Sequence, residues 1–261
     1  MPRWVAFAAL TLLVLTILLL SARRSGQLVG ELASKPTERP RLPDGADHLA
    51  GIETSTSGQD SLQVSKTALL ANVAVTHGLF ALVLLAGVVI AAIPLPALGI
   101  GSAAVSGREA VAVGIATGLG IAVVNTLAGA IADAFEADPS GPLRELLAPD
   151  SRRGCLALLF VVLPIIAGFE ELLFRGALIG AFAVGFDLSP WMLAVGSSVV
   201  FGAGHGAQGR VGIAATGLLG FALAAVFVTT GSLLVVWLAH YVVNAVEFVL
   251  VEGIGYEPFG E

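Results

Sequence analysis

The sequence predicts an all-α protein: a polytopic transmembrane helical bundle with about seven spans. Two observations point there. Of the 261 residues, 56% are hydrophobic and only 12% charged, with a mean hydropathy of +0.92; ordinary soluble domains carry about twice that charged share. The apolar residues also gather into seven runs, each roughly the length a helix needs to cross the ~30 Å hydrocarbon core of a bilayer.

The first run, 4–20, is bracketed by Arg3 and by Arg23 and Arg24. It reads as an N-terminal transmembrane anchor over residues 1–24. A short basic start before an apolar core also suits a cleaved signal peptide, though no small-x-small site stands out after it. Residues 25–66 change character: Pro36, Pro40, Pro43 and the run TSTSG make a flexible polar linker. The helical membrane core, 67–261, holds the other runs at 68–92, 110–131, 155–183, 191–206, 211–228 and 232–251. Gly176, Gly180, Gly212, Gly217 and Gly220 offer small surfaces that let such helices pack closely in lipid.

Counted on alternate sides of these runs, Lys and Arg number ten against two, with Arg175 inside a run. That bias places the linker and the C-terminus in the cytoplasm and the protein in the cell membrane. A net charge of -6 and a pI near 5.2 give no reason to expect a nucleic-acid partner, which leaves the lipid bilayer as the first partner. The single cysteine, Cys155, excludes an intrachain disulfide and a Cys-rich metal cluster.

A charged side chain at the centre of a membrane helix costs about 2.5–3.5 kcal/mol on insertion scales, so each one needs a partner or a purpose. In GFEELLFRG, Glu171 and Arg175 stand four apart and can pair on one helical face. Glu170 lies 100° from Glu171 and shares that arginine less easily. A packing salt bridge explains the pair but leaves Glu170 over. In FGAGHGAQGR, glycines at 202, 204 and 206 strip bulk from around His205, which is either a helix-end histidine facing water or a group open to close approach. In HYVVN, His240 and Asn244 stack on one face, as an interhelical hydrogen-bonding pair or as two groups aimed at one point. Glu170 and His240 fall near the middle of their runs and His205 about five residues off the middle of its own, so all three can reach one pocket. His77 and Asn72 read as interhelical hydrogen bonding, Glu247 as a neighbour of Asn244 one turn on, and His48 as a solvated linker residue.

These groups suit hydrolysis. A carboxylate without its own counter-ion serves as a general base toward water. Neutral imidazole can hold that water or a divalent metal, and a second imidazole with a carboxamide can donate to a developing oxyanion. No serine or cysteine is visibly paired with a base, and Cys155 lies fifteen residues before Glu170, so water is the expected nucleophile for an acyl or peptide bond.

Over 143–252 the chain resembles the CPBP family, the CAAX prenyl proteases and related bacteriocin-processing and self-immunity proteins: EELLFR matches EExxxR, FGAGH matches FxxxH and HYVVN matches HxxxN, in the family's order. The resemblance implies a CAAX-type intramembrane endopeptidase. It would hydrolyse peptide bonds of membrane-associated or prenylated substrates, with a membrane-anchored peptide or protein as partner. It also implies that Glu170 and His205 activate the water, that His240 and Asn244 stabilise the oxyanion, and that Glu171 and Arg175 organise the helix. Members are described as metalloproteases. A divalent metal such as zinc on Glu170, His205 and His240, and a metal-free reaction driven by the glutamate, both stay open, since these residues do not form HExxH. Two further readings stand beside the enzyme: a non-catalytic immunity or scaffold membrane protein that uses the same cleft for binding, and a proton or ion transporter, for which no internal repeat with paired broken helices is visible.

Overall fold

A computed structural model describes residues 1–34, 66–101, 104, 105, 107–133, 149 and 151–250. Most of the expected linker (35–65, with His48) and the ends of the motif region (143–148, 150, 251 and 252) lie outside the described residues. Among the described residues there are seven helices of 15 residues or more: α1 (Trp4–Ser34), α2 (Lys66–Ile90), α3 (Gly107–Asp133), α4 (Arg152–Phe186), α5 (Pro190–Gly204), α6 (Gly209–Thr230) and α7 (Leu233–Phe248). There is no strand among the described residues. Each apolar run is a helix, and the protein is an integral membrane helical bundle. Helix α1 continues to Ser34, past the point where the linker was expected to begin.

Five of the helices, α1 to α4 and α6, are long and apolar enough to cross a membrane. Helix α5 has 15 residues, which at 1.5 Å per residue reach only about 22 Å against a ~30 Å hydrocarbon core. The short length of α5 has a local cause. After Gly204 the chain makes a 3-10 turn over Gly206–Gln208, and Gly209 adopts φ +72, a left-handed value that a residue with a Cβ resists. Helix α7 starts where the Ser232 hydroxyl accepts a hydrogen bond from the Val235 amide at 3.4 Å, an N-cap.

Helix α4 is the centre of the bundle. In its most apolar window 44% of residues are buried, against 17–28% in the other four long helices. Its Phe169, Leu173 and Phe174 pack with Val14 of α1, Leu84 of α2 and Phe201 of α5. Two stretches of α4, Leu158–Val162 and Leu172–Ala181, are wound as π-helix, the second beginning immediately after Glu171. Such widened turns concentrate at functional sites because they turn side chains and carbonyls out of the regular α-helical register.

Helix α3 lies along α7 at close range. A Cβ on Gly118 would stand 2.7 Å from the Ala239 carbonyl oxygen, whereas one on Gly120 in the same helix would meet nothing within 4 Å. The two positions should respond with opposite sign. Gly118→Ala is expected to destabilise the bundle by about 1–3 kcal/mol through overpacking. Gly120→Ala should be neutral or stabilising by up to ~1 kcal/mol through helix propensity. Thermal unfolding in detergent reads both.

Candidate active site

Helix α4 supplies the acidic part of the site. Glu170, Glu171 and Arg175 are all buried, with Glu171 at 0% and Arg175 at 1% exposure. The four-residue spacing lets Arg175 Nη1 donate to Glu171 Oε1 at 2.8 Å. Nη2 of the same guanidinium donates to the Gly220 carbonyl of α6 at 2.8 Å, and its Cζ lies 4.9 Å from the centroid of the Phe201 ring on α5, within cation–π range. One side chain thus ties α4 to the next two helices, α5 and α6. The pair is end-on rather than bidentate, so Glu171 Oε2 and Arg175 Nε have no hydrogen-bond partner among the described residues.

Helix α7 brings His240 against both carboxylates. Its Nδ1 lies 2.7 Å from Glu171 Oε1, and since a carboxylate only accepts, Nδ1 carries the proton and donates. Nε2 then faces Glu170 Oε2 at 3.6 Å, too far for a direct hydrogen bond. The two adjacent acids therefore have different partners. Glu171 receives Arg175 and His240 on a single oxygen, and Glu170 has no contact with Arg175 at hydrogen-bonding range and looks at the other ring nitrogen of His240. The contact between Glu171 and His240 was not expected from the sequence, where Glu171 is accounted for by Arg175 alone.

His205 follows the last residue of α5, at φ -99 and ψ 27. Its Nδ1 is 2.9 Å from the Phe201 carbonyl one turn back, which leaves Nε2 as the ring nitrogen with a free lone pair. It is half-buried and makes no hydrogen bond to Glu170 or His240 among the described residues; it joins them through the Phe201 ring, whose centroid is 4.8 Å from that of His205 and 6.0 Å from that of His240. Asn244, one turn beyond His240 on α7, is half-buried. So Glu170, Glu171, Arg175 and His240 form one contact cluster, with His205 attached through Phe201 and Asn244 adjacent along the helix.

No three His, Cys, Asp or Glu side chains among the described residues are grouped so as to hold a metal ion. Glu170 and His240 could supply two ligands, and His205 does not complete a third with them in this arrangement. Among the described residues the donor set is therefore one ligand short of a three-ligand metal centre.

The other polar residues take local roles. The interhelical bonding expected of His77 and Asn72 is not what the structure has: His77 Nδ1 lies 2.8 Å from the Val73 carbonyl of its own helix, and Asn72 is exposed. A helical histidine reaches its own i−4 carbonyl without the cost of bringing two helices into register. The His77 ring stands edge-on to Phe169, with centroids 5.3 Å apart. Glu247 Oε2 accepts from Asn125 Nδ2 of α3 at 3.5 Å. Ser197 is the site neighbour that the sequence reading passed over, and Phe201 was read only as the first letter of the FxxxH match; their spacing to His205, eight and four residues, is the signal that could have found them.

Residues 152–246 match the family model described as Type II CAAX prenyl endopeptidase Rce1-like. The matched segment runs from the start of α4 into α7 and contains all three motifs, consistent with the CPBP family. It supports intramembrane endopeptidase activity in general terms. No curated protein and no solved structure matches the chain.

Proposed function

We propose that this protein is an intramembrane endopeptidase that hydrolyses peptide bonds of membrane-associated or prenylated CAAX-type substrates with an activated water. The observation that carries the reading is the 3.6 Å gap between Glu170 Oε2 and His240 Nε2, both buried. A buried carboxylate held near imidazole but not neutralised by the neighbouring arginine is a base looking for a proton donor.

In the proposed reaction Glu170 takes a proton from water, with His205 Nε2 helping to hold it. The hydroxide oxygen bonds to the carbonyl carbon of the scissile peptide. Negative charge moves onto the carbonyl oxygen, which is met by the Asn244 carboxamide and by His240. For that role His240 enters the reaction as the imidazolium and keeps both protons throughout: Nδ1–H is held by Glu171 and Nε2–H turns to the oxyanion. Collapse breaks the C–N bond, and the proton held by Glu170 passes to the leaving nitrogen. A free acid and an amine result, and no cofactor is consumed. Glu171 and Arg175 hold the imidazole and the helix in place. A cavity of about 400 Å3, lined by Gly168, Ser232, Leu233 and Trp237 among others and by none of the cluster side chains, offers apolar space for the hydrophobic part of a substrate.

The test is cleavage by the full-length protein in proteoliposomes, with a panel of membrane-anchored peptides, prenylated and not. Wild type should cleave at least one of them and Glu170→Ala and His205→Ala should not. Prior chelation should leave wild-type turnover unchanged, because no step calls on a metal. Equal cleavage by all three proteins would remove the proposal. Chelator-sensitive turnover restored by a divalent ion would replace the glutamate-driven route with a metal-dependent one.

A further inference from the structure

We propose that Ser197 and Phe201 are positioning residues for this reaction: they clamp α5 onto the π-helical part of α4 and so set where the His205 imidazole stands relative to Glu170 and His240. The inference rests on the endopeptidase reading above. Ser197, Phe201 and His205 recur at intervals of four and share one stripe of α5 and its end. That stripe faces α4.

The first contact is polar. Ser197, 6% exposed, donates Oγ–H to the Phe174 carbonyl of α4 at 2.8 Å. Its neighbour Ser198 bonds the Ala194 carbonyl of its own helix at 2.6 Å, the usual habit of a helical serine. Ser197 instead reaches across to another helix, into the stretch Leu172–Ala181 that is wound as π-helix. The second contact is aromatic. The Phe201 ring lies edge-on to Phe174 at 4.9 Å, under the Arg175 guanidinium at 4.9 Å, and within 4.8 and 6.0 Å of the two imidazoles. On its remaining side Gly220 of α6 makes the room: a Cβ there would come within 2.9 Å of the ring.

His205 depends on this seat because it has little of its own. Its hydrogen bond goes to the Phe201 carbonyl of the same helix end, and none reaches Glu170 or His240 among the described residues. Where α5 sits on α4 therefore decides where Nε2 points. A reacting group displaced by about 1 Å costs on the order of 100-fold in rate.

The experiment measures kcat, KM and thermal stability of the full-length protein in proteoliposomes with one cleavable membrane-anchored peptide. The variants are Ser197→Ala, Phe201→Leu, Ser197→Thr as the conservative rescue, and Leu70→Ala as a control in a separate apolar cluster with Leu158 and Val162. Ser197→Ala and Phe201→Leu should lower kcat by roughly 10- to 100-fold with KM unchanged. Ser197→Thr should restore most of the rate, and Leu70→Ala should lose stability without that loss of turnover. If Phe201→Leu fails to fold, Ser197→Ala and its rescue decide alone. Wild-type kcat in folded Ser197→Ala overturns the clamp, as does a kcat loss in Leu70→Ala that matches Ser197→Ala at equal loss of stability. Glu170→Gln and a wild-type control run alongside separate the two levels. An inactive Glu170→Gln with a normal Ser197→Ala sinks the clamp only, an active Glu170→Gln removes Glu170 as the base, and a wild-type protein that cleaves no peptide of the panel sinks the endopeptidase reading beneath both.

Discussion

Glu170→Gln is expected to lower peptide-bond cleavage by about 10²–10⁴-fold, the range that general-base catalysis contributes, while leaving the helical bundle folded. Glutamine keeps the size and shape of glutamate and removes only its capacity to take a proton. The surroundings tolerate the change because Glu170 is not the partner of Arg175: the guanidinium is satisfied by Glu171 and the Gly220 carbonyl. His240 lies 3.6 Å from Glu170 and keeps its hydrogen bond to Glu171. Turnover and thermal unfolding measured on the same preparation separate the two effects. A Glu170→Gln protein that cleaves within twofold of wild type would mean that some other group activates the water.

Arg175→Met is expected to fail in the opposite way, through stability, by about 3–5 kcal/mol. Methionine fills much of the same space but leaves Glu171, fully buried, with a negative charge answered only by His240. It also frees the Gly220 carbonyl of α6 and removes the guanidinium from the face of Phe201. Because much of that cost is the stranded carboxylate rather than the lost attraction, Glu171→Gln combined with Arg175→Met should be clearly less destabilised than the sum of the two single changes. Unfolding of the four proteins in one detergent gives the coupling. Strict additivity would show that the two side chains do not depend on one another. The pair of experiments also sorts two adjacent glutamates by function, one by rate and the other by stability.

Much of this was open to a reader of the sequence. The seven helices announce themselves because apolar content along a chain is a one-dimensional property, and each run became a helix, with its centre close to where hydropathy placed it in all but α1, which continues to Ser34. The Glu171–Arg175 pair was legible for a similar reason: both residues sit on one helix, and the rise and turn of that helix bring them within reach. Other features were less visible. The run 191–206 looked like a span reaching to Gly206, yet α5 stops at Gly204, because the turn over Gly206–Gln208 and the left-handed Gly209 reverse the chain there. His77 looked like an interhelical donor and bonds its own helix instead. The π-helical winding after Glu171 has no signature in the letters LLFRGALIGA, since it is a choice among hydrogen-bond ladders that packing partners tip.

By itself, then, the sequence determined the solvent this protein lives in, its helical state and the identities of the few side chains able to do chemistry there. These follow from run length, composition and i, i+4 spacing, all of which act within one segment. Only the tertiary structure decided how those side chains divide their partners. His240 lies 69 positions from Glu171, and which of its ring nitrogens meets which glutamate depends on the crossing and rotation of α4 against α7. The same holds for Phe201, whose ring meets Arg175, His205 and His240 only because α5 is seated on α4. A helix can turn about its axis without changing its hydropathy, so no local pattern specifies that rotation; the packing of the neighbouring helices does.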